Sequence, residues 1–503
     1  MIIGVDLDDV LLDFFETFCV FVNRNKGTSY TRESQTDFRI EKSWGWSAED
    51  AHQAILDFYR SEDHRDALPV NGAVEALAEL SKENTIHIIT SKPEFLREET
   101  ERWVQRYFPD MITSIQFMNH FHGNGTKRSK TETCRELGVQ VFIDDSLEQA
   151  RNVSSSGIPV LMPDAPWNQE KVGPLVTRVH SWTEIAKKMR EGIAIPVIGV
   201  VGGEAFTDID VLACTTAYAE LLRLDGRKAE AVIPGALNAS CPPLVRKLRP
   251  EQVAKPSDPN EVFVVVDISD PAYIASCASV DRVIEIYDHH AGSQDFWQEK
   301  LGSSCHIELI GACATLIWEE FKKRGHADEI SATSADLLAI AIISNTLNFG
   351  AQVTNERDRA AFEELQSHID LPRGWTQRYF SEVQGSSATN DIIETIKGDT
   401  KVMAIPALEH KIAMGQLELW QGGSFMHTQL GSIKAALESF GEPYWFMSVP
   451  SISEGKNYLY CTSKRLKDLL SELIGAKFDG DIGVTEKMWL RKEVRKKLFE
   501  MKG

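Results

Sequence analysis

Two sets of acidic and basic residues in this chain have the types and spacing that phosphate chemistry requires. In the first set, Asp6 and Asp8 stand two residues apart at the end of an apolar run, so on a strand both would face the same side. Carboxylates hold Mg²⁺ together with the oxygens of a phosphate. One carboxylate can attack phosphorus as a covalent nucleophile, and another can transfer protons. The first set therefore predicts a metal-dependent phosphotransfer site.

The other members of the first set also follow apolar runs or begin a predicted helix. They are Thr90 and Ser91 after IHII (86–89), Asp144 and Asp145 after VFI (141–143), and Lys130 at a helix start. Ligand-binding groups of open parallel sheets gather at the carboxyl ends of the strands. We therefore expect four carboxylates, a hydroxyl group and a lysine on one rim of a sheet, with Lys127 and Arg128 as nearby alternatives to Lys130.

The second set combines carboxylates with adjacent histidines. Its members are Asp208 and Asp210 in DID, Asp267 after VFVVV, and the triplet Asp288, His289 and His290 after VIEIY. Imidazole and carboxylate together suit manganese or a similar divalent ion. Two such ions about 3.5–4 Å apart would activate a bridging water against phosphorus.

Short apolar strands alternate with amphipathic helices, which predicts an α/β fold with parallel sheets between helices. The strands are expected at 2–8, 86–90, 141–145 and 158–162, and then at 197–203, 229–235, 262–268, 283–290 and 339–345. A helix ending at Gly192 and a change of composition near 391–400 divide the chain. The expected domains are 1–190, 195–390 and 391–503.

The composition is that of a globular protein. The 503 residues allow two to four domains, and 43% of them are hydrophobic and 25% charged. Asp and Glu outnumber Lys and Arg by 74 to 54, so the net charge is −20. This argues against a broad nucleic-acid surface, although it allows a local basic pocket. No apolar run approaches the ~18 residues of a membrane span, and the N-terminus does not read as a signal peptide.

Eight cysteines lie along the chain without pairing or metal-binding spacing: Cys19, Cys134, Cys214, Cys241, Cys277, Cys305, Cys313 and Cys461. In a chain of this length, they are expected to be reduced core residues of a cytoplasmic protein. The expected partner is a small phosphorylated substrate, and the sequence leaves oligomer formation open.

The first set resembles the four-motif signature of the haloacid dehalogenase superfamily of phosphatases, over about residues 1–188. The segments DLDDVLLDF, ITSKP, FIDDS and DAPWN look most like its cytosolic deoxyribonucleotidase branch. The resemblance implies a Rossmann-like parallel sheet in which Asp6 is the nucleophile and Asp8 the general acid and base. It also implies that Thr90 and Ser91 contact the phosphate and that Lys130 neutralises its charge. Mg²⁺ would be held by Asp6, Asp8, Asp144 and Asp145.

Residues 14–70 would form a helical cap over this site. The segment is rich in aromatic residues: Phe14, Phe15, Phe18, Phe38, Trp44 and Trp46. Such rings can stack on a nucleobase, or they can form the core of the cap. The sequence leaves both interpretations open.

The second set resembles the DHH phosphoesterase superfamily, and residues 391–503 resemble the smaller second domain of family II inorganic pyrophosphatases and exopolyphosphatases. The resemblance implies Mn²⁺ or Mg²⁺ on Asp208, Asp210, Asp267, Asp288, His289 and His290. It implies phosphate binding by an SRKK-like stretch, which here reads LRKE, so Arg491 and Lys492 carry over. Arginine suits phosphate because its planar fork binds two oxygens. The alternative for this stretch is an ordinary basic helix.

Two positions depart from the DHH pattern. Glu204 stands where the family has a histidine, and Asn345 stands where it has an aspartate. Both are expected to bind metal, but Asn345 cannot bridge two cations as a carboxylate does. The sequence thus predicts a nucleotidase-like phosphomonoesterase fused to a DHH phosphoesterase or pyrophosphatase. The alternative is that the DHH half is a regulatory module that binds phosphate or nucleotide with little turnover.

Overall fold

Three sheets follow one another along the chain, and the apolar core of the second extends to Ile452, Met488 and Leu490 beside the third. The computed structural model describes residues 1–120, 126–205, 207–258, 261–290, 292–389, 392–405, 408 and 410–500. The first sheet lies before residue 190, the second between 198 and 307, and the third between 400 and 485. We call residues 1–190 the N-terminal half and residues 195–503 the C-terminal half.

The described residues of the N-terminal half form a parallel sheet, a helical insertion and covering helices. Its strands are β1 (Ile2–Val5), β2 (Thr85–Thr90), β3 (Ser114–Phe117), β4 (Val141–Ile143), β5 (Val160–Pro163) and β6 (Val176–Val179). Its helices are α1 (Phe14–Lys26), α2 (Ile40–Trp44), α3 (Ala48–Tyr59), α4 (Glu62–Arg65), α5 (Ala73–Leu80), α6 (Arg97–Tyr107), α7 (Lys130–Glu136), α8 (Leu147–Ser154) and α9 (Trp182–Glu191).

The order of this first sheet brings two predicted motifs together. The strands run β3-β2-β1-β4-β5-β6, and all neighbouring pairs are parallel. After β3 the chain crosses to the other side of β1, so the carboxyl ends of β1 and β4 form the crevice where ligands of such sheets bind. The N–H of Asp6 donates to the carbonyl of Ile143 over 2.8 Å, which joins the two strand ends.

The C-terminal half begins with a second parallel sheet. Its strands are β7 (Ile198–Val201), β8 (Ala229–Val232), β9 (Val262–Val266), β10 (Val283–Asp288) and β11 (Cys305–Ile307), in the order β11-β10-β9-β7-β8. The helices that accompany it are α10 (Ile209–Leu224), α11 (Pro243–Arg246), α12 (Gln294–Leu301), α13 (Cys313–Lys323), α14 (Ala332–Asn345), α15 (Glu356–Leu365) and α16 (Trp375–Thr389). The next helix, α17 (Ile392–Gly398), packs on the third sheet.

The last sheet is mixed, in the order β12-β13-β14-β15-β17-β16. Its strands are β12 (Thr400–Ile405), β13 (His410–Gln416), β14 (Tyr444–Ser451), β15 (Lys456–Tyr460), β16 (Lys477–Asp479) and β17 (Ile482–Thr485). Helices α18 (Gly422–Thr428), α19 (Leu430–Glu438), α20 (Lys464–Ile474) and α21 (Arg491–Glu500) complete this part. The predicted α/β class with a smaller C-terminal α/β domain is confirmed.

One predicted strand is wrong. Residues 339–345 form the second half of α14, which begins after Ser331, whose side chain accepts a hydrogen bond from the N–H of Ser334. Almost every residue of this helix is buried, and it packs against α10 and α13. A helix that is apolar on all sides lacks the 3.6-residue periodicity of an amphipathic helix, so a short stretch of it reads like a buried strand.

The eight cysteines are unpaired, as the sequence predicts. Most of them are buried, which agrees with their expected place in the core. Among the described helices, none combines the length and the apolar character that a membrane span requires.

We expect the two halves to fold when they are expressed separately as 1–190 and 195–503. The core around β1 and α9 is distinct from the core around β7 and α10, and each contains the central strands of its own sheet. The polar contacts between the halves include Arg227 Nη1 with the carbonyl of Val139 at 3.1 Å. Circular dichroism and cooperative thermal unfolding of each fragment measure this. Aggregation of both fragments would contradict it.

Candidate active sites

The first candidate site lies at the carboxyl ends of β1 and β4 and is centred on Lys130. Lys130 is the first residue of α7, and its side chain is 1% exposed. Its Nζ lies 2.9 Å from Asp6 Oδ1 and 2.8 Å from Asp144 Oδ2. The alternatives Lys127 and Arg128 are exposed, so the structure brings Lys130 to the site. A buried ammonium between two carboxylates can neutralise the charge of a phosphoryl group.

The carboxylates of this site are crowded and buried. Ligand atoms of Asp6, Asp144 and Asp145 lie within 4.8 Å of one another. Burial raises the pKa of Asp6 to about 7, against the opposing effect of Lys130. Burial, together with Asp9 and Asp144, also raises the pKa of Asp145 well above its usual value. Three carboxyl groups beside a single lysine leave surplus negative charge, and this oxygen donor set suits Mg²⁺.

The DAPWN segment supports Asp145. Trp167 Nε1 donates to Asp145 Oδ2 over 2.8 Å, and Asn168 Nδ2 donates to the backbone carbonyl of Asp145 over 2.8 Å. These bonds orient the carboxyl group toward the cluster. The segment was noticed in the sequence as part of the family resemblance, but its contact with Asp145 was not predicted.

The turn after β2 supplies three further residues. Thr90 ends β2 and is buried, and its Oγ1 accepts a hydrogen bond from the N–H of Lys92 over 3.2 Å. Ser91 Oγ lies 3.3 Å from His120 Nδ1. Lys92 was missed by the sequence reasoning, although it lies in the ITSKP segment, and its Nζ is 2.8 Å from Asp8 Oδ1. Thr90, Ser91, Asp8 and Lys92 all line the same cavity.

The cap helices enclose this cavity of about 360 Å³ above the carboxylates. Phe14, Phe15 and Phe38 line it, so half of the six predicted aromatic residues reach the cavity. Phe18 is fully buried, and Trp44 stacks on Tyr30 at 4.0 Å, so these two rings belong to the core of the cap. Trp46 meets Tyr30 edge-on at 5.8 Å. Two aromatic residues that were not predicted, Tyr59 and Trp167, complete the lining.

The second candidate site begins at the N-terminus of α10. Asp208 caps this helix, and its Oδ1 accepts hydrogen bonds from the N–H groups of Asp210 and Val211 at 3.0 Å each. The Asp210 carboxylate accepts from the N–H groups of Cys313 and Ala314, both at 2.9 Å. These bonds hold both carboxylates in place. Burial still raises the pKa of Asp210 to about 6, with Asp208 as the next cause.

His289 points a lone pair at a carboxylate. Its Nδ1 lies 3.1 Å from the carbonyl of Ile310, which can only accept, so Nδ1 carries the proton and donates it. Burial lowers the pKa of His289 well below its usual value, which leaves the ring neutral. Its unprotonated Nε2 then lies 3.2 Å from Asp267 Oδ1. Burial, followed by Asp210 and Asp208, raises the pKa of Asp267 well above its usual value. Either a proton or a metal ion between the two acceptors would stabilise this pair.

The residues around His289 complete this donor set. Ligand atoms of Asp267, His289 and His290 lie within 4.8 Å of one another. His290 Nδ1 lies 2.8 Å from Asp288 Oδ1, so Asp288 orients the second histidine. Asp267 Oδ1 and Asp288 Oδ2 are buried without a hydrogen-bond partner among the described residues. Imidazole nitrogen and carboxylate oxygen fit a divalent transition metal such as Mn²⁺.

The two departures from the DHH pattern occupy different places. Glu204 Oε2 accepts a hydrogen bond from the N–H of Ser276 over 2.9 Å, and this bond lowers the pKa of Glu204. Glu204 is therefore held by the loop after β9, and it is not in the cluster of Asp267 and the histidines. Asn345 ends α14 and lines the adjoining cavity.

A cavity of about 720 Å³ lies between the second and third sheets. Asp208, His290, Arg491 and Lys492 line it, so acidic and basic predicted residues share one cleft. Arg491 already forms an ion pair, since its Nη2 lies 2.9 Å from Asp399 Oδ1. The sequence reasoning missed other cavity residues: Arg246, Lys401, Glu418 and Arg495. Lys401 lies on β12, within residues 391–503, whose family resemblance did not single it out.

The comparisons with known proteins match two stretches of the chain to two different families. Residues 1–191 match the family described as 5' nucleotidase, deoxy (pyrimidine), cytosolic type C protein, and residues 198–342 match the N-terminal domain of the DHH family. A candidate nucleotidase of Halalkalibacterium halodurans is 26% identical over 182 residues, which cover 36% of this chain and 88% of that protein.

Relatives of the C-terminal half are pyrophosphatases. A candidate manganese-dependent inorganic pyrophosphatase of Exiguobacterium is 29% identical over 169 residues, which cover 33% of this chain and 53% of that protein. The chain thus matches about half the length of this relative. A solved candidate family II inorganic pyrophosphatase of Methanococcus jannaschii covers 60% of this chain and 99% of its own, with 20% identity and a TM-score of 0.44. The chain joins a nucleotidase-type domain to a DHH phosphoesterase-type domain.

Proposed function

We propose that this chain, a nucleotidase-type domain joined to a DHH-type domain, hydrolyses phosphate compounds at two separate metal-dependent sites. The N-terminal half removes the phosphate of a nucleoside monophosphate. The observation that carries this is the buried Asp6, Lys130 and Asp144 cluster beneath an aromatic-lined cavity. The C-terminal half hydrolyses a phosphoanhydride or a phosphodiester, and its support is the His289 lone pair that faces Asp267.

In the N-terminal half, Asp6 attacks phosphorus and forms an acyl phosphate, phospho-Asp6. The bond from phosphorus to the nucleoside oxygen breaks, and that oxygen takes a proton from Asp8. Water then attacks phospho-Asp6 and gives its proton to Asp8, which releases phosphate and regenerates Asp6. Lys130 balances the phosphoryl charge throughout. A Mg²⁺ ion on Asp6, Asp144 and Asp145 would supply further charge neutralisation.

In the C-terminal half, Asp208, Asp210, Asp267 and the two histidines hold and orient the metal site. A bound Mn²⁺ or Mg²⁺ ion would lower the pKa of a water molecule and polarise the phosphoryl oxygen. Lys492 and Arg491 offer cationic groups to the substrate cleft, and Asp399 fixes the direction of the Arg491 guanidinium. We also propose the cytoplasm as the compartment, because the eight cysteines are unpaired.

A second function for the C-terminal half is the regulated binding of phosphate or nucleotide with little turnover. Two observations favour it: Glu204 is tied to Ser276, and Asn345 is neutral. Both reduce the carboxylate donors available to a second metal ion, which the two-metal mechanism requires.

A phosphate-release screen of the full chain tests both functions. The substrates are nucleoside monophosphates, pyrophosphate, short polyphosphates and dinucleotides, each with Mg²⁺ and with Mn²⁺. Release from a monophosphate that Asp6→Asn abolishes, and release from an anhydride or diester that His289→Gln abolishes, support the proposal. A C-terminal half that binds these ligands without turnover supports the regulatory alternative.

The double variant Glu204→His with Asn345→Asp is expected to bind Mn²⁺ about tenfold more tightly and to raise any anhydride hydrolysis. It restores a nitrogen donor and a carboxylate, and both suit the transition metal better than the present pair. Calorimetric titration of Mn²⁺ into the full chain measures the affinity. Glu204→Gln is the matched control, since it removes the charge without adding a nitrogen ligand. No gain in affinity or rate would mean that these two positions do not limit the site.

A further inference from the structure

A row of buried polar side chains leads from helix α6 to Asp8. Glu99 Oε1 on α6 lies 2.7 Å from His64 Nδ1 on α4, and His64 Nε2 lies 3.1 Å from Lys92 Nζ. Lys92 Nζ in turn lies 2.8 Å from Asp8 Oδ1. His64 and Lys92 are 3% and 2% exposed. The row joins the cap, the turn after β2 and Asp8, the proton donor of the proposed mechanism.

The donor and acceptor character of these groups determines which one donates at each contact of the row. An ammonium group only donates, so Lys92 donates to His64 Nε2, and it forms an ion pair with Asp8 Oδ1. His64 Nε2 must then be unprotonated, and Nδ1 carries the proton that is donated to Glu99. Burial, followed by the nearby Lys92, lowers the pKa of His64, which agrees with a neutral ring. Glu99 therefore fixes the tautomer of His64, and His64 fixes the ammonium of Lys92.

Lys92 is also held by its surroundings. Its N–H donates to Thr90 Oγ1 over 3.2 Å, and its carbonyl accepts from the N–H of Asn119 over 3.2 Å. The ammonium lies 5.3 Å from the ring centre of Phe14 and 5.0 Å from that of Tyr59. Aromatic faces attract a cation at this distance. A buried lysine with this support has little freedom to leave Asp8.

We propose that Lys92, held by His64 and Glu99, is a positioning residue that fixes the carboxyl group of Asp8 for proton transfer to the leaving group. The inference rests on the proposed nucleotidase function. Asp8 Oδ1 is buried, whereas the Asp8 side chain as a whole is 25% exposed. The ion pair at 2.8 Å holds Oδ1 against the ammonium of Lys92. Oδ2 is then the oxygen left to face the leaving group, and through it a proton can pass to the nucleoside oxygen as the bond to phosphorus breaks.

This role makes the effect of Lys92 depend on the leaving group. A nucleoside leaves as a strongly basic alkoxide unless it is protonated, whereas p-nitrophenol is acidic enough to leave without a proton. Losing the orientation of Asp8 should therefore slow phosphorylation of Asp6 by a nucleotide and spare phosphorylation by p-nitrophenyl phosphate. A general loss of site structure would slow phosphorylation of Asp6 by both substrates.

The test is a rapid-quench measurement of the first turnover by the full chain. Lys92→Met is expected to slow the burst of nucleoside by about 10- to 100-fold, while the burst of p-nitrophenol stays within about threefold of wild type. His64→Leu, which removes both hydrogen bonds of the ring, should give the same selective loss to a smaller extent. His64→Gln should restore most of the loss, since its amide can accept from Lys92 and donate to Glu99.

Lys82→Met, at an exposed lysine of the same half, is the matched control and should keep both bursts. Equal slowing of both bursts, or no slowing of either, in Lys92→Met and His64→Leu would overturn the inference. The two variants His64→Leu and His64→Gln keep the test decisive if Lys92→Met does not fold. A wild-type chain that forms no phosphoenzyme with either substrate would overturn the nucleotidase proposal itself, and this outcome is distinct from the others.

Discussion

Asp6→Asn is expected to reduce phosphate release from nucleoside monophosphates by at least about 10³-fold, because an amide cannot attack phosphorus to form the covalent intermediate. Asn has nearly the shape of Asp, and Lys130 keeps its second partner, Asp144 at 2.8 Å. The fold should therefore survive the change. Steady-state release of phosphate from the best monoester measures the effect, and the thermal midpoint checks the fold.

Asp13→Asn is the matched control for this variant. Asp13 is another carboxylate close to Asp6 in sequence, but its side chain is 37% exposed and its nearest charged partner is Arg32 at 3.9 Å. It should keep full activity. If Asp6→Asn retains a tenth or more of the wild-type rate, Asp6 is not the nucleophile. Hydrolysis by the C-terminal half should be unaffected by either change.

His289→Gln is expected to weaken Mn²⁺ binding by the C-terminal half about 100-fold or more, and to abolish its anhydride or diester hydrolysis. The reason is the placement of the ring: its Nδ1 is committed to Ile310, and its Nε2 faces Asp267 at 3.2 Å. Glutamine cannot place an equally strong nitrogen donor there. Without that donor, Asp267 and Asp210 keep their surplus charge.

Mn²⁺ titration of the full chain measures this change as the loss of one class of tight site. His427→Gln, at an exposed histidine of α18, is the control and should keep the wild-type stoichiometry. Unchanged Mn²⁺ binding in His289→Gln would contradict the assignment of His289 as a ligand. Release of phosphate from a nucleoside monophosphate should remain at the wild-type rate, since the Asp6 site lies in the other half.

Many residues of both sites could be predicted because the sequence pattern indicates where buried strands end. An apolar run followed by a carboxylate marks the place where a buried strand meets solvent or a ligand. Parallel sheets collect such ends on one edge, so Asp6 and Asp144 were predicted to meet. The same rule placed Asp267 beside His289. These contacts follow from backbone topology, and topology follows from the order of apolar segments.

Helix α14 shows where that reasoning fails. Its apolar run is uniform, so period 2 and period 3.6 are equally consistent with it, and only its packing between α10 and α13 selects the helix. The same difficulty does not arise for α9. Its Gly192, with φ of 91°, ends an amphipathic helix as predicted.

The sequence by itself determined the fold class, the order of the apolar segments, and the acids, histidines and lysine that follow them. Only the tertiary structure decided which side chains touch: Lys92 with His64, Glu204 with Ser276, and Arg491 with Asp399. Their separations along the chain are 28, 72 and 92 residues, and no local pattern connects them. The physical reason is that a hydrogen bond forms only when donor and acceptor lie within a few tenths of an ångström of the right distance and point toward each other. Side-chain packing sets that geometry, and the periodicity of a sequence does not.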